Sequence, residues 1–144
     1  MATVQNGLVT PVGTGKSIIN VTTTDGNKTA GCTVIVLPYQ GENGTWDERQ
    51  AGESVGKDKT WRVKFSNVVN PESINRQNIM VLDSKDEPVE IEVTADAESD
   101  KIIVVKPKDQ YKKEEHYRLY LGANLSSSTG KSLSQGILFL FNVE

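Results

Sequence analysis

The sequence predicts an all-β chain built as a β-sandwich, on three observations. Short runs of β-branched and aromatic residues alternate with polar ones. Clusters of Gly, Asn, Asp and Ser separate those runs at near-regular intervals, as turns do. Apolar residues spaced for one face of a helix are scarce. The 144 residues, 36% hydrophobic and 24% charged, suffice for one ordinary domain or two small ones with a thin two-layer core.

Thr3 to Gly7 closes on Asn6-Gly7, a hairpin signal because both residues tolerate positive φ, and Leu8 to Pro11 continues extended. Ser17 to Thr24 reads as a strand, Asp25-Gly26-Asn27 as its turn and Lys28 to Leu37 as the return strand. Alternation puts Cys32, Val34 and Val36 on one face, expected to point inward, and Thr33 and Ile35 on the other. Pro38 to Thr45 is rich in Gly, Asn and Pro and reads as a linker, and Trp46 to Lys59 is polar without a clear pattern. The alternation then sharpens: Trp61, Val63 and Phe65 face one way, Arg62 and Lys64 the other. Val69 to Ile74 reads as a crossing segment with one helical turn capped by Asn70. Strands follow at Ile79–Leu82, around Val89–Thr94, at Lys101–Pro107, around Tyr117–Leu121 and at Gly136–Val143, with turns at Ser84–Asp86, Ala95–Asp100 and the Ser-rich 126–130. Trp61, Phe65, Tyr117, Phe139 and Phe141 fall on inward faces.

Charge and composition exclude several function classes. Sixteen basic residues against 19 acidic ones leave a net charge of −3, with no electrostatic footprint for nucleic acid or anionic lipid. One cysteine forbids an internal disulfide, and one histidine with one cysteine forbids a zinc site built from several of either. No apolar run reaches the roughly 20 residues of a membrane-spanning helix.

Two blocks carry a family resemblance. Ala2-Thr3-Val4, the Asn6-Gly7 turn, Leu8-Val9-Thr10-Pro11-Val12, Gly13-Thr14-Gly15 and Cys32-Thr33-Val34-Ile35-Val36 resemble the C-terminal half of a bacterial Ig-like group 2 domain. That family's first half, with its Trp-Ser-Ser segment, has no counterpart here, so residues 1–37 are expected to be a partial module and 38–45 a linker. Asp58 to Ser66, Ile79 with Val81-Leu82-Asp83, Ile103 to Pro107, Tyr117 to Leu121 and Phe141 are similar, over about residues 55–144, to the Ig-like domains of S-layer and other Gram-positive surface proteins, and 46–144 is expected to be a complete S-layer-type Ig-like module. The resemblance implies an Ig-like β-sandwich in an exported or wall-attached bacterial protein, with such modules in tandem. Its carrying residues are core and turn positions, which identify a fold better than a ligand.

Motifs for chemistry are few. Val12-Gly13-Thr14-Gly15-Lys16-Ser17 echoes a phosphate loop, but Thr10 stands where its first Gly belongs, and a β-branched run follows where a helix is needed. His116 is expected to face solvent, with no nucleophile elbow in the sequence to serve it. Cys32 is expected to be a buried small hydrophobe. Asp96, Glu98 and Asp100 share one turn and Asp83 and Asp86 another. Such clusters could offer oxygens to Ca²⁺, although solvated turn acids explain them more simply. Alternation does not place Trp46, Tyr39, Tyr111 or Tyr120, which makes them the candidate ligand platform, since an exposed ring can stack on a sugar. Packing at a domain junction explains Trp46 more simply.

The expected function is therefore a non-catalytic structural or adhesive module at a bacterial cell surface or wall, with no cofactor. Its partners would be neighbouring domains of the same surface protein, with cell-wall glycan or a host or surface protein as further candidates. The alternative is a module that binds cell-wall carbohydrate. Residues 1–37 supply only a hairpin and a short strand or two, so Ile18, Ile19, Val21, Cys32, Val34 and Val36 are expected to bury against the second module or the matching block of a second chain, the latter by self-association.

Overall fold

The computed structural model describes residues 1–144, which divide into two compact units, Met1–Leu37 and Pro38–Glu144. The first unit consists of two hairpins. Strands β1 (Ala2–Gln5) and β2 (Leu8–Pro11) pair antiparallel with Val4 opposite Val9. Asn6 and Gly7 turn between them at φ 51° and 78°, as the Asn-Gly pair predicts. Strands β3 (Gly15–Thr22) and β4 (Thr29–Val36) pair over eight residues, with Ile19 opposite Cys32 and Val21 opposite Ala30. The turn joining them is fixed by the Thr23 hydroxyl donating to the Asp25 carboxylate and by Thr23 N–H donating to Lys28 O at 2.9 Å.

No residue of 1–37 is buried. Ile18 and Val21 are largely exposed, and Cys32 is exposed, not buried as its face predicts. Ile18 also lies on the opposite face of the ladder from Ile19, Val21 and Cys32, because side chains alternate. The physical reason for the correction is simple: alternation says which residues share a face, but a two-stranded sheet supplies no second layer to cover it.

The second unit is a β-sandwich. Its strands are β5 (Trp46–Gln50), β6 (Trp61–Lys64), β7 (Ile79–Leu82), β8 (Ile91–Ala95), β9 (Ile102–Pro107), β10 (His116–Leu121) and β11 (Gly136–Asn142). A four-stranded sheet runs β5-β11-β10-β7 and a three-stranded one β6-β9-β8. All neighbours are antiparallel except β5 and β11. Ile79, Val81, Leu119, Leu121 and Phe141 from the first sheet meet Ile91, Ile103 and Val105 from the second. Trp61 seals the core with its ring 4.9 Å from both Phe139 and Phe141. The one helical turn, Pro71–Ser73, stands where the sequence predicts it, with the Asn70 side chain accepting from Glu72 N–H at 3.1 Å.

Two expectations change in this unit. Residues 38–45 are not a free linker: Pro38 and Gly41 are buried, Ala123 N–H donates to Tyr39 O at 2.6 Å, and Gly136 N–H donates to Gln40 O at 2.9 Å. Trp46–Gln50, without pattern in the sequence, forms edge strand β5. Its pairing comes from parallel contact with β11 and not from an alternating apolar face, so a polar Asp47-Glu48-Arg49-Gln50 run can form it.

Candidate functional site

Two features of the second unit stand apart from its core packing. The first is the union of its first and last strands. Strand β5 pairs parallel with β11 from Trp46 opposite Gly136 to Gln50 opposite Leu140. The union continues past both strands: Ala51 N–H donates to Leu140 O at 2.9 Å, Val55 N–H to Asn142 O at 2.9 Å and Glu144 N–H to Val55 O at 3.1 Å. Parallel pairing means that the chain enters this ladder at one end of the sandwich and leaves at the other.

Gly136 lets the ladder close. A Cβ there would lie 2.5 Å from the Trp46 ring, so only the bare backbone allows that ring to lie across β11. Trp46 thereby reaches Tyr120 on β10, edge to face at a centroid distance of 5.1 Å.

The second feature is a cleft of about 470 Å³ at the loop end, where the chain enters the unit and where β10 leads towards β11. Tyr39 lines it and is 49% exposed. Asn43, Asn124, Ser132 and Ser134 supply amides and hydroxyls, and Glu42 is its one charged lining residue. Two glycines seat the Tyr39 backbone. A Cβ on Gly122 would come within 2.9 Å of Pro38, and one on Gly41, at φ 103°, within 2.9 Å of Ser134 O. Leu133 N–H donates to Leu125 O at 3.1 Å and so holds the opposite wall. A second hollow of about 340 Å³, also lined by Ser132 and Ser134, adds Ser66, Asn67, Ser126 and Ser127.

The four aromatics singled out in the sequence do not form one platform. Tyr111 is buried at 3% exposure among Tyr117 and Phe141, and burial pushes its phenol up to about 12. Tyr120 is buried under Trp46, and desolvation raises its phenol too. Trp46 is half-buried in that contact. Of the four, only Tyr39 presents an open ring. The cleft's amides and hydroxyls do not show as a site in the sequence, because single Asn and Ser residues in loops carry no ligand-binding pattern until the fold brings them together. The Ser-rich run at 126–130 lines the second hollow, through Ser126 and Ser127, and not the Tyr39 cleft.

The other candidates resolve as structure. The Asp96 carboxylate is spent twice, on Arg62 at 2.6 Å and on Glu98 N–H at 2.9 Å. No group of three or more Asp, Glu, His or Cys side chains gathers to hold a metal, around Glu98 and Asp100 or elsewhere. Asp83 accepts from Lys85 N–H and Glu87 N–H, and Asp86 pairs with Arg118. Exposed His116 lies with Nδ1 2.6 Å from Asn142 Oδ1. Gly13-Thr14 bends directly into strand β3, so no helix amides face a phosphate.

Comparison with known proteins adds three findings. Residues 49–143 match the family described as bacterial Ig-like domain. No curated protein matches the chain. Among solved structures, the N-terminal part of the bacterial S-layer protein SbsC is similar, at 16% identity and a TM-score of 0.47. The match covers 70% of this chain and 24% of that one.

Proposed function

From the premise that the chain belongs to the bacterial Ig-like domain family, matched over 49–143, we propose that it is a tension-bearing spacer module of a bacterial cell-surface protein. The observation that carries this is the parallel β5–β11 pairing of the unit's first and last strands. In such a pair, tension applied at the two chain ends runs along the ladder in opposite directions. All of its hydrogen bonds are then loaded together, in shear. An antiparallel terminal pair would open one bond at a time. The module also hands the load on in line, because entry and exit lie at opposite ends. Its neighbours in this reading are further domains of the same surface protein.

Residues 1–37 fit the reading as part of a further group 2 module in the array. What supports this is the apolar face of Ile19, Val21, Val34 and Val36, which lacks a second layer of its own. That face, together with open strand edges, also favours self-association, measurable as a sedimentation coefficient that rises with protein concentration.

Pulling the full chain from its ends in single-molecule force spectroscopy tests the spacer. The expected trace has one high-force event for the second unit, and Ala51→Pro, which removes the donor to Leu140 O, lowers its force. A second unit that opens at the force of an unstructured chain would overturn the reading. A second reading, a module that binds cell-wall glycan, has one observation in its favour: the open Tyr39 ring over a cleft of uncharged polar groups.

A further inference from the structure

We infer that the Tyr39 cleft is a binding site for an uncharged hexopyranose chain. The inference rests on the glycan reading and is independent of the spacer reading. The chemistry of the cleft selects this ligand class. A pyranose ring has an apolar face of C–H groups and an equatorial rim of hydroxyls. Tyr39 offers an open aromatic face, which attracts polarised C–H groups through its quadrupole. Asn43 and Asn124 each offer two donors and an acceptor, and Ser132 and Ser134 can donate or accept, matching hydroxyls that do both.

Charge narrows the class. The one ionisable lining group beside Tyr39 is Glu42, on a chain of net charge −3. Anionic polymers, whether phosphate- or uronate-bearing, are therefore repelled, and neutral sugars are not. The cleft's volume of about 470 Å³ falls within the range of small-ligand sites. The site is also largely preformed. The Tyr39 backbone is pinned by Ala123 N–H, and Gly41 and Gly122 admit its close approach, so little ordering entropy opposes binding.

The test is a titration of the ¹⁵N-labelled full chain with three probes: cellotriose, chitotriose and trigalacturonate. Cellotriose or chitotriose, at millimolar concentration, is expected to shift the amides of Tyr39, Asn43, Asn124, Ser132 and Ser134, and trigalacturonate is not. Tyr39→Ala is expected to weaken binding roughly tenfold, while Tyr39→Phe keeps it, because stacking needs the ring and not the hydroxyl. Tyr39 is exposed, so neither change threatens the fold, which the unchanged remainder of the spectrum verifies. Saccharide shifts confined to another surface would overturn this site and leave the glycan reading standing. No shifts with any of the three probes would overturn both, whereas shifts with trigalacturonate alone would overturn the uncharged-sugar site and leave the glycan reading standing. Equal affinity for Tyr39→Ala would overturn the stacking role that defines the site.

Discussion

Strand β3 spans eight residues and carries Ile18, Ile19 and Val21, yet none of its side chains is buried. Strand β7 spans four residues, Ile79-Met80-Val81-Leu82, and all four are buried. The longer strand has the longer ladder, with eight register pairs against β4. What β7 has in addition is a second sheet across from it, so that Ile79 and Val81 meet Ile103 and Val105. Backbone pairing makes a strand, but a facing layer makes a core, because apolar area must leave water to stabilise anything. The two units thus share local β chemistry and differ in layering.

Substitutions with the largest expected effect fall in the layered unit. Phe141 touches Trp61, Tyr111 and Tyr117 and is 2% exposed. Phe141→Ala should cost about 4 kcal/mol, the usual loss for a buried aromatic, read as a lowered denaturant midpoint for the second unit. A midpoint equal to wild type would show that this core is not the source of its stability. Next comes Gly136→Ala, whose new Cβ meets the Trp46 ring at 2.5 Å. Overpacking there should cost about 2 kcal/mol and shift Trp46 fluorescence towards that of an exposed indole. An unchanged spectrum would mean that Trp46 does not lie across β11.

A pH effect of middle size follows from Tyr111. In the folded chain its phenol holds its proton up to about 12, whereas the ordinary value is 10.0. Between those two values the unfolded chain binds fewer protons than the folded one, so stability falls as pH rises through that window. Tyr111→Phe should flatten this alkaline decline in a melting-temperature series, and an equally steep decline would contradict it. The smallest effects belong to the unlayered unit. Ile18→Ala should change stability by no more than about 0.5 kcal/mol, and in dilute, monomeric protein Cys32 should react with a thiol reagent as readily as in denaturant. A protected Cys32 would show that a second layer covers this face after all.

Most of the fold was legible in the sequence. The Asn6-Gly7 turn, the Asn70 cap and the inward set of Trp61, Tyr117, Phe139 and Phe141 depend on local backbone preference or period-two alternation, which a sequence displays directly. Strand β5 was hidden, since an edge strand with polar residues is defined by its partner and not by its own pattern. The exposure of Cys32 is not legible in its alternation, because cover is a tertiary property. The candidate site was less legible than the fold. Tyr39, Tyr111, Tyr120 and Trp46 look alike in sequence, and only packing separates the open ring of Tyr39 from the buried rings of Tyr111 and Tyr120. Of the cleft's amides and hydroxyls, Asn124, Ser132 and Ser134 share the connection between β10 and β11, and Asn43, distant in the chain, joins them because Ala123 N–H and Gly136 N–H hold the backbone of Tyr39 and Gln40 there.

The central claim is that the second unit resists tension because β5 and β11 are loaded in shear. The most direct test compares two pulling directions on the same fold, in a Cys32→Ser background. Handles at Pro38 and Glu144 pull the ladder in shear. Handles at Thr45 and Gln135 grip the two strands at the same end of the ladder and peel it from Trp46 opposite Gly136 towards Gln50 opposite Leu140. The account predicts an unfolding force several-fold higher for the first pair than for the second. Equal forces in the two directions would contradict it.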